Sequence, residues 1–241
     1  MVTTAVIMAA GLGTRFGKFT ESIPKGFIEC GGISMVERSV RTLISCGIER
    51  IIIGTGYRKE MYEELAKRYA QIECVYSPRY AETNSMYTLY NCREAIGSGD
   101  FLLLESDLVF ERRAIQSLLE HKEETIMLIT PVTKFQDQYY VEYDSNHQLT
   151  MCSTKSHELN VKGELVGIHK LSGRFYRTMC DDYSSKSELL PKLGYEYEIL
   201  AMAQAGNPVY VLNEAGLFWS EIDDVDDLAY AEKHIIPHID S

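Results

Sequence analysis

A few short segments carry residue types able to handle a polyphosphate. Ala9-Ala10-Gly11-Leu12-Gly13-Thr14-Arg15 follows an apolar run, Thr3 to Ala10. Glycines there let the backbone bend tightly and aim its N–H groups at phosphate oxygens. The loop is not the dinucleotide fingerprint. Phe16 stands where a third glycine belongs, and no Gly-Lys-Ser/Thr follows. Taken alone, the glycines read equally well as an ordinary strand-to-loop turn. Arg15 and then Lys25, ten residues further on, change that balance. Pro24 fixes its own φ and so helps to aim the Lys25 ammonium. In-line attack on an α-phosphate builds charge on its equatorial oxygens, and fixed cations there lower the barrier. The bland reading of Lys25 is a solvated surface lysine.

Carboxylates supply the second half of such a site. Asp107 follows the apolar strand Phe101 to Leu104, and Asp223 follows a later strand, Phe218 to Ile222. In an open parallel sheet, ligands bind beyond the carboxyl ends of the strands. If these two ends meet, the acids share one site, which is costly unless a cation joins them. Mg²⁺ takes hard oxygen ligands of this kind and can bridge a triphosphate to its nucleophile. Each Asp also reads as a turn or cap residue, and Asp224, Asp226 and Asp227 crowd the start of the last helix, where acids suit the dipole. No Ser-His-Asp or Cys-His arrangement is recognisable. None is needed for an acceptor whose phosphate or phosphonate oxygen is already anionic, because that reaction needs positioning and charge screening.

The elements that must position these residues alternate strand and helix. Strands are expected at 3–10, 50–53, 73–76, 101–104 and 125–131. Helices carrying Met35 to Ile44, Met61 to Tyr69, Met86 to Ile96 and Ala114 to Leu119 lie between them. Ser34 and Glu37 form a capping-box pattern, and Gly47 stops that helix. Apolar rather than alternating strands imply a mainly parallel sheet covered on both faces, a three-layer α/β/α sandwich of Rossmann-like type. The second half changes character. Gln138 to Tyr143 and Leu149 to Ser153 read as a hairpin, Gly163 to Leu171 as a strand, and Ser172 as the cap of the next helix. Glu198 to Ala205 reads as helical, Pro208 to Leu212 and Phe218 to Ile222 as strands, and the last helix runs to about Ile235, ended by Pro237. Without a repeat or linker, residues 1–241 read as a single domain.

Composition narrows the partners. The formal net charge of -11 makes nucleic acid and anionic membrane poor partners, and no apolar run is long enough to span a bilayer. Six scattered cysteines, none in a CxxC pair, suit free thiols in a reducing cytoplasm better than disulfides or zinc.

The glycine loop with Arg15 and Pro24-Lys25 resembles the signature of the nucleotidyltransferases that charge sugar phosphates and phosphocholine. The resemblance extends in order through Gly54-Thr55-Gly56-Tyr57, Asn84-Ser85, Glu105-Ser106-Asp107 and Glu221-Ile222-Asp223, and so covers nearly the whole chain. It is similar above all to the bacterial cytidylyltransferases for phosphocholine and 2-aminoethylphosphonate. Pro24-Lys25-Gly26-Phe27, Leu104 to Leu108 and Gly163 to Gly167 lean toward the aminoethylphosphonate member. That resemblance implies a nucleotide-diphospho-sugar transferase-like fold and transfer of CMP from CTP to a small zwitterionic phosphonate or phosphate. A sugar-1-phosphate nucleotidyltransferase is the remoter alternative.

By the same resemblance, Lys25 and Arg15 are catalytic, and Asp107 and Asp223 hold Mg²⁺, with Asp224 as the competitor. Ala9, Ala10, Gly11, Gly13, Gly56, Tyr57, Thr83, Asn84, Ser85 and Glu105 would bind the nucleotide. Asn84 and Ser85 can satisfy the polar groups of cytosine, though either also suits a helix N-cap. Glu196, Glu221, Trp219 and Lys155 would bind the acceptor. Glu196 falls near an aromatic position of the phosphocholine enzymes, and a carboxylate suits a primary ammonium, which can donate hydrogen bonds. The lone Trp219 also reads as core, and Lys155 as an exposed loop lysine.

Overall fold

Both faces of the first strand are buried, and that fact organises the layers. In this computed structural model, which describes residues 2–13, 16–17, 22–133 and 138–239, Thr4–Ala9 forms β1. Val6 and Met8 point into one apolar cluster, while Ala5, Ile7 and Ala9 point into another on the opposite face. Burying a side chain of the size of Val6, Ile7 or Met8 contributes about 1.5–3 kcal/mol.

The remaining strands are β2 (Glu29–Cys30), β3 (Ile33–Ser34), β4 (Arg50–Thr55), β5 (Ile72–Tyr76), β6 (Phe101–Glu105), β7 (Leu108–Phe110), β8 (Ile126–Thr130), β9 (Tyr140–Tyr143), β10 (Leu149–Ser153), β11 (Gly163–Leu171), β12 (Tyr210–Asn213) and β13 (Trp219–Glu221). The helices are α1 (Met35–Ser45), α2 (Lys59–Arg68), α3 (Ser85–Asn91), α4 (Arg93–Ile96), α5 (Arg113–Glu120), α6 (Gly173–Lys186), α7 (Tyr195–Gln204), α8 (Val225–His234) and α9 (Ile236–Ile239). The main sheet runs β10-β9-β11-β6-β1-β4-β5, with β8 on β11 and β12 on β8. β1 pairs parallel with β4 and β6, as do β4 with β5 and β8 with β12, whereas β11 is antiparallel to β6 and β8. The expected mixed, mainly parallel sheet is therefore present. α1, α2 and α5 cover one face and α3, α6 and α7 the other, which completes the three layers.

A separate two-stranded ladder, β7 with β13, matters most for the site. Its register sets Leu108 against Glu221, Val109 against Ser220 and Phe110 against Trp219. Beyond it, the Ile222 N–H donates to the Asp107 carbonyl at 3.0 Å. This pairing draws the chain after β13 back to the carboxyl end of β6.

Three local expectations need correcting. Ser34 does precede α1, but its side chain makes no capping bond. Glu37 instead accepts hydrogen bonds from Arg41 at 2.7 Å, Arg68 at 2.8 Å and Tyr69 at 2.8 Å, so it ties α1 to the end of α2 rather than closing a box. α7 begins at Tyr195, three residues before Glu198, which puts Glu196 in its first turn. Pro237 does not end the C-terminal helical region: it lies inside the short α9, a position early enough in a helix that its missing N–H costs nothing. No disulfide joins any of the six cysteines, all of which lie among the described residues. Among the described residues, no helix is long and apolar enough to cross a membrane.

Candidate active site

The carboxyl ends of β6 and β1, with Tyr62 of α2, the loop after β5 and the start of α3 beside them, enclose a cleft of about 340 Å³, within the range of small-molecule sites. Met8, Ala9, Ala10, Gly11 and Gly13 form one wall. Gly13 has φ +62, a left-handed conformation that other residues adopt only with strain. Phe16, in the place of a third glycine, is 5% exposed and packs with Ile28, Met35 and Ile222, so it anchors the loop to the core. Arg15 lies outside the described residues.

Lys25 opens a single turn, Lys25–Phe27, after extended Pro24 at φ −70. Gly26 lets that turn approach β6: a Cβ there would stand 3.1 Å from the Ser106 carbonyl oxygen and 3.2 Å from the Tyr62 hydroxyl. The Lys25 ammonium consequently reaches across and donates to both Asp107 Oδ2 and Asp223 Oδ1. Its side chain is only 12% exposed. Burial opposes the charge, but the two carboxylates outweigh it and hold the ammonium well above the ordinary lysine range. Lys25 is a fixed cation, not a base. Asp223 and Asp224 have separate work. Asp224 caps α8, accepting from the N–H groups of Asp226 and Asp227 at 2.9 Å, while Asp223 turns to Lys25.

Further acids extend this centre. Glu105, Asp107 and Glu221 bring carboxylate oxygens within 4.8 Å of one another. Tyr195 donates its hydroxyl to Glu105 at 2.8 Å. Burial, followed by the charges of Asp107 and Glu196, raises Glu105 well above the usual carboxylate range. Burial, then Asp107 and Glu105, does the same to Glu221, and burial pushes Glu196 up to about 7. Glu105, Glu196 and Glu221 meet Gln138 and Tyr139 around a small cavity of about 30 Å³ that shares Glu105 with the main cleft. So many acids in one enclosure favour cationic ligands. The donor chemistry at Asp107 and Asp223 fits a divalent ion: both offer hard oxygens, and Asp107 Oδ1 is buried with no hydrogen-bond partner.

Thr83, Asn84, Ser85 and Glu105 line the cleft. Gly56 and Tyr57 do not. Gly56 lies behind the Tyr80 side chain, and the Tyr57 N–H donates to the Ala10 carbonyl at 3.3 Å. Trp219 is 8% exposed in the core, its indole N–H bonded to Thr130 at 3.1 Å. Lys155 is exposed, pairs with Glu158 at 3.1 Å and lines neither cavity. Sequence reasoning missed Tyr80, Tyr62, Thr88 and Ser106, which line the cleft, and Tyr139, which lines the acidic cavity. For Tyr80 a signal existed: a glycine just past a strand marks a close approach by something, and here that is its side chain.

Fold and site together define a nucleotidyltransferase. Residues 5–182 match the family described as the MobA-like NTP transferase domain, and the chain belongs to that family. Its sequence relatives include cytidylyltransferases. The chain is 37% identical over 107 residues to a 2-aminoethylphosphonate cytidylyltransferase of Lancefieldella rimae, a match spanning 44% of each protein and thus less than half of that relative's length. It is 27% identical over 240 residues to a choline-phosphate cytidylyltransferase of Haemophilus influenzae, spanning 97% of this chain and 98% of that one. Among solved structures, the CTP:phosphocholine cytidylyltransferase of Streptococcus pneumoniae superposes with a TM-score of 0.82 at 22% identity, covering 97% of this chain and 99% of that chain, a likeness of fold.

Proposed function

We propose that the protein, working as one unit in the cytoplasm, transfers CMP from CTP to 2-aminoethylphosphonate and releases pyrophosphate. The product would serve phosphonate decoration of surface glycans or lipids. One observation carries the reading: the Lys25 ammonium sits between Asp107 and Asp223 at the end of a cleft walled by the glycine loop. In this account Asp107 and Asp223 would hold Mg²⁺, which when bound neutralises triphosphate charge. Lys25 stays protonated and steadies charge gathering on the α-phosphate. The glycine loop offers backbone N–H groups to the phosphates. Because the acceptor oxygen is already anionic, these residues orient and screen rather than remove a proton.

Acceptor choice rests on the acidic cavity. Glu105, Glu196 and Glu221 suit a primary ammonium, which donates hydrogen bonds to carboxylates. The partial match to the aminoethylphosphonate enzyme agrees with it. Phosphocholine is the second reading, favoured by the Tyr139 ring, which lines that cavity and packs 5.6 Å from the Tyr197 ring, and by the full-length match to a choline-phosphate enzyme. The test is to supply CTP and Mg²⁺ with 2-aminoethylphosphonate, phosphocholine or phosphoethanolamine and follow pyrophosphate. Turnover fastest with 2-aminoethylphosphonate is expected; turnover with phosphocholine alone would reverse the acceptor assignment.

A further inference from the structure

The strand order gives the cleft a direction. β6, β1, β4 and β5 lie side by side, and they end respectively at Glu105, the glycine loop, Gly56 and the turn that leads to Tyr80. Lys25 and Asp107 therefore occupy the β6 end, while Tyr80, Thr83 and Thr88 close the β4–β5 end of the same cleft. A nucleoside triphosphate whose phosphates meet Lys25 must lay its base toward that second end.

Polar side-chain groups at the second end are largely committed to the protein itself. The Thr83 hydroxyl donates to the Arg79 carbonyl at 2.6 Å and the Thr88 hydroxyl to Ser77 Oγ at 3.2 Å. Asn84 Oδ1 accepts from the Ser85 N–H at 2.8 Å, and its Nδ2 donates to the Lys192 carbonyl at 3.1 Å. Ser85 Oγ accepts from the Tyr195 N–H at 3.0 Å. What the wall still offers is an aromatic face. Among the described residues the cleft has two aromatic neighbours, Tyr62 and Tyr80. Tyr62 is 1% exposed, its hydroxyl against Gly26 at the phosphate end. Tyr80 is half-buried.

The Tyr80 position is built, not incidental. Its N–H donates to the Ser77 carbonyl at 3.2 Å, within a turn continued by the Thr83 N–H bond to the Arg79 carbonyl at 3.0 Å. Its side chain leans on Gly56, where a Cβ would stand 2.6 Å from Tyr80 Cγ and 2.5 Å from the Ala10 carbonyl oxygen. Any larger residue at position 56 would push the ring and the glycine loop apart. We propose that Tyr80, seated on Gly56, is the stacking surface for the nucleoside base of the triphosphate, and hence a base-binding residue. The proposal rests on the nucleotidyl-transfer reading of this cleft. It also gives Gly56 an indirect part in base binding, as the shelf beneath the ring.

Stacking predicts a loss confined to the base. Calorimetry would compare Mg²⁺–CTP with Mg²⁺–tripolyphosphate, which has phosphates and no base, on wild type, Tyr80→Phe and Tyr80→Leu, with thermal midpoints verifying the fold. Tyr80→Phe should keep CTP affinity within about twofold, and Tyr80→Leu should weaken it roughly tenfold or more, the scale of base–aromatic stacking. All three proteins should bind tripolyphosphate alike. Tyr80→Leu binding CTP as wild type does, or losing tripolyphosphate in the same proportion, would overturn the stacking role alone. Wild-type protein that binds tripolyphosphate but no nucleoside triphosphate would overturn both this role and the reading beneath it.

Discussion

At the scale of single residues, the acidic cavity makes the sharpest claim. Burial lifts Glu196 to about 7, above the ordinary 4.5 of an exposed glutamate. Between those values the folded protein holds a proton that the unfolded chain has released. This contribution to stability is fully present below pH 4.5 and is lost as pH rises through about 7. A bound ammonium reverses the preference, since it needs the carboxylate ionised. The KM for 2-aminoethylphosphonate should therefore fall as pH rises through about 7 while the KM for CTP stays level, and Glu196→Gln should raise the former KM and flatten its pH dependence. A KM for the acceptor that ignores pH in the wild type would contradict this role for Glu196. Such perturbation is invisible in sequence, because it comes from burial and then from the charge of Glu221, 25 positions away. The residue types were legible; their company was not.

At the scale of elements, the β7–β13 ladder and the start of α8 divide two adjacent aspartates. Asp224 serves the helix and Asp223 the cleft. Asp224→Ala should cost about 1 kcal/mol of stability, the usual price of an N-cap, with turnover within about twofold of wild type. Asp223→Asn should do the opposite, keeping the thermal midpoint close while lowering turnover by roughly a hundredfold, as expected for a group holding charge at the reacting centre. Chemical denaturation and pyrophosphate release, run side by side, check both. The sequence showed four acids crowded together and no way to rank them except by family resemblance. A hydrogen-bond register between two short strands, which no local pattern announces, decides which carboxylate points inward. The capping box failed for a related reason: Glu37 had better partners on α2 than the backbone ahead of it. Where local periodicity ruled, as in β11 or the Ser172 cap of α6, the sequence reading matched the fold.

At the scale of the whole molecule, two apolar layers around one sheet enclose a histidine that lines neither cavity. His169 on β11 is completely buried against the Tyr195 ring, and burial lowers it to about 3. Its folded value lies below the 6.5 of the open chain, so the unfolded state binds the proton first, and stability is lost as pH falls from 6.5 toward 3. His169→Leu should narrow the difference between thermal midpoints measured at pH 7 and pH 5; an unchanged difference would exclude His169 as the source of acid sensitivity. The same layered core holds β6, β1 and the β7–β13 ladder still enough for Lys25 to meet acids 82 and 198 residues away. That meeting is the central claim, and Lys25→Ala tests it most directly. With CTP, Mg²⁺ and acceptor, pyrophosphate release should fall by about a hundredfold or more while circular dichroism remains that of the wild type. Turnover within a few-fold of wild type in that variant would contradict the account.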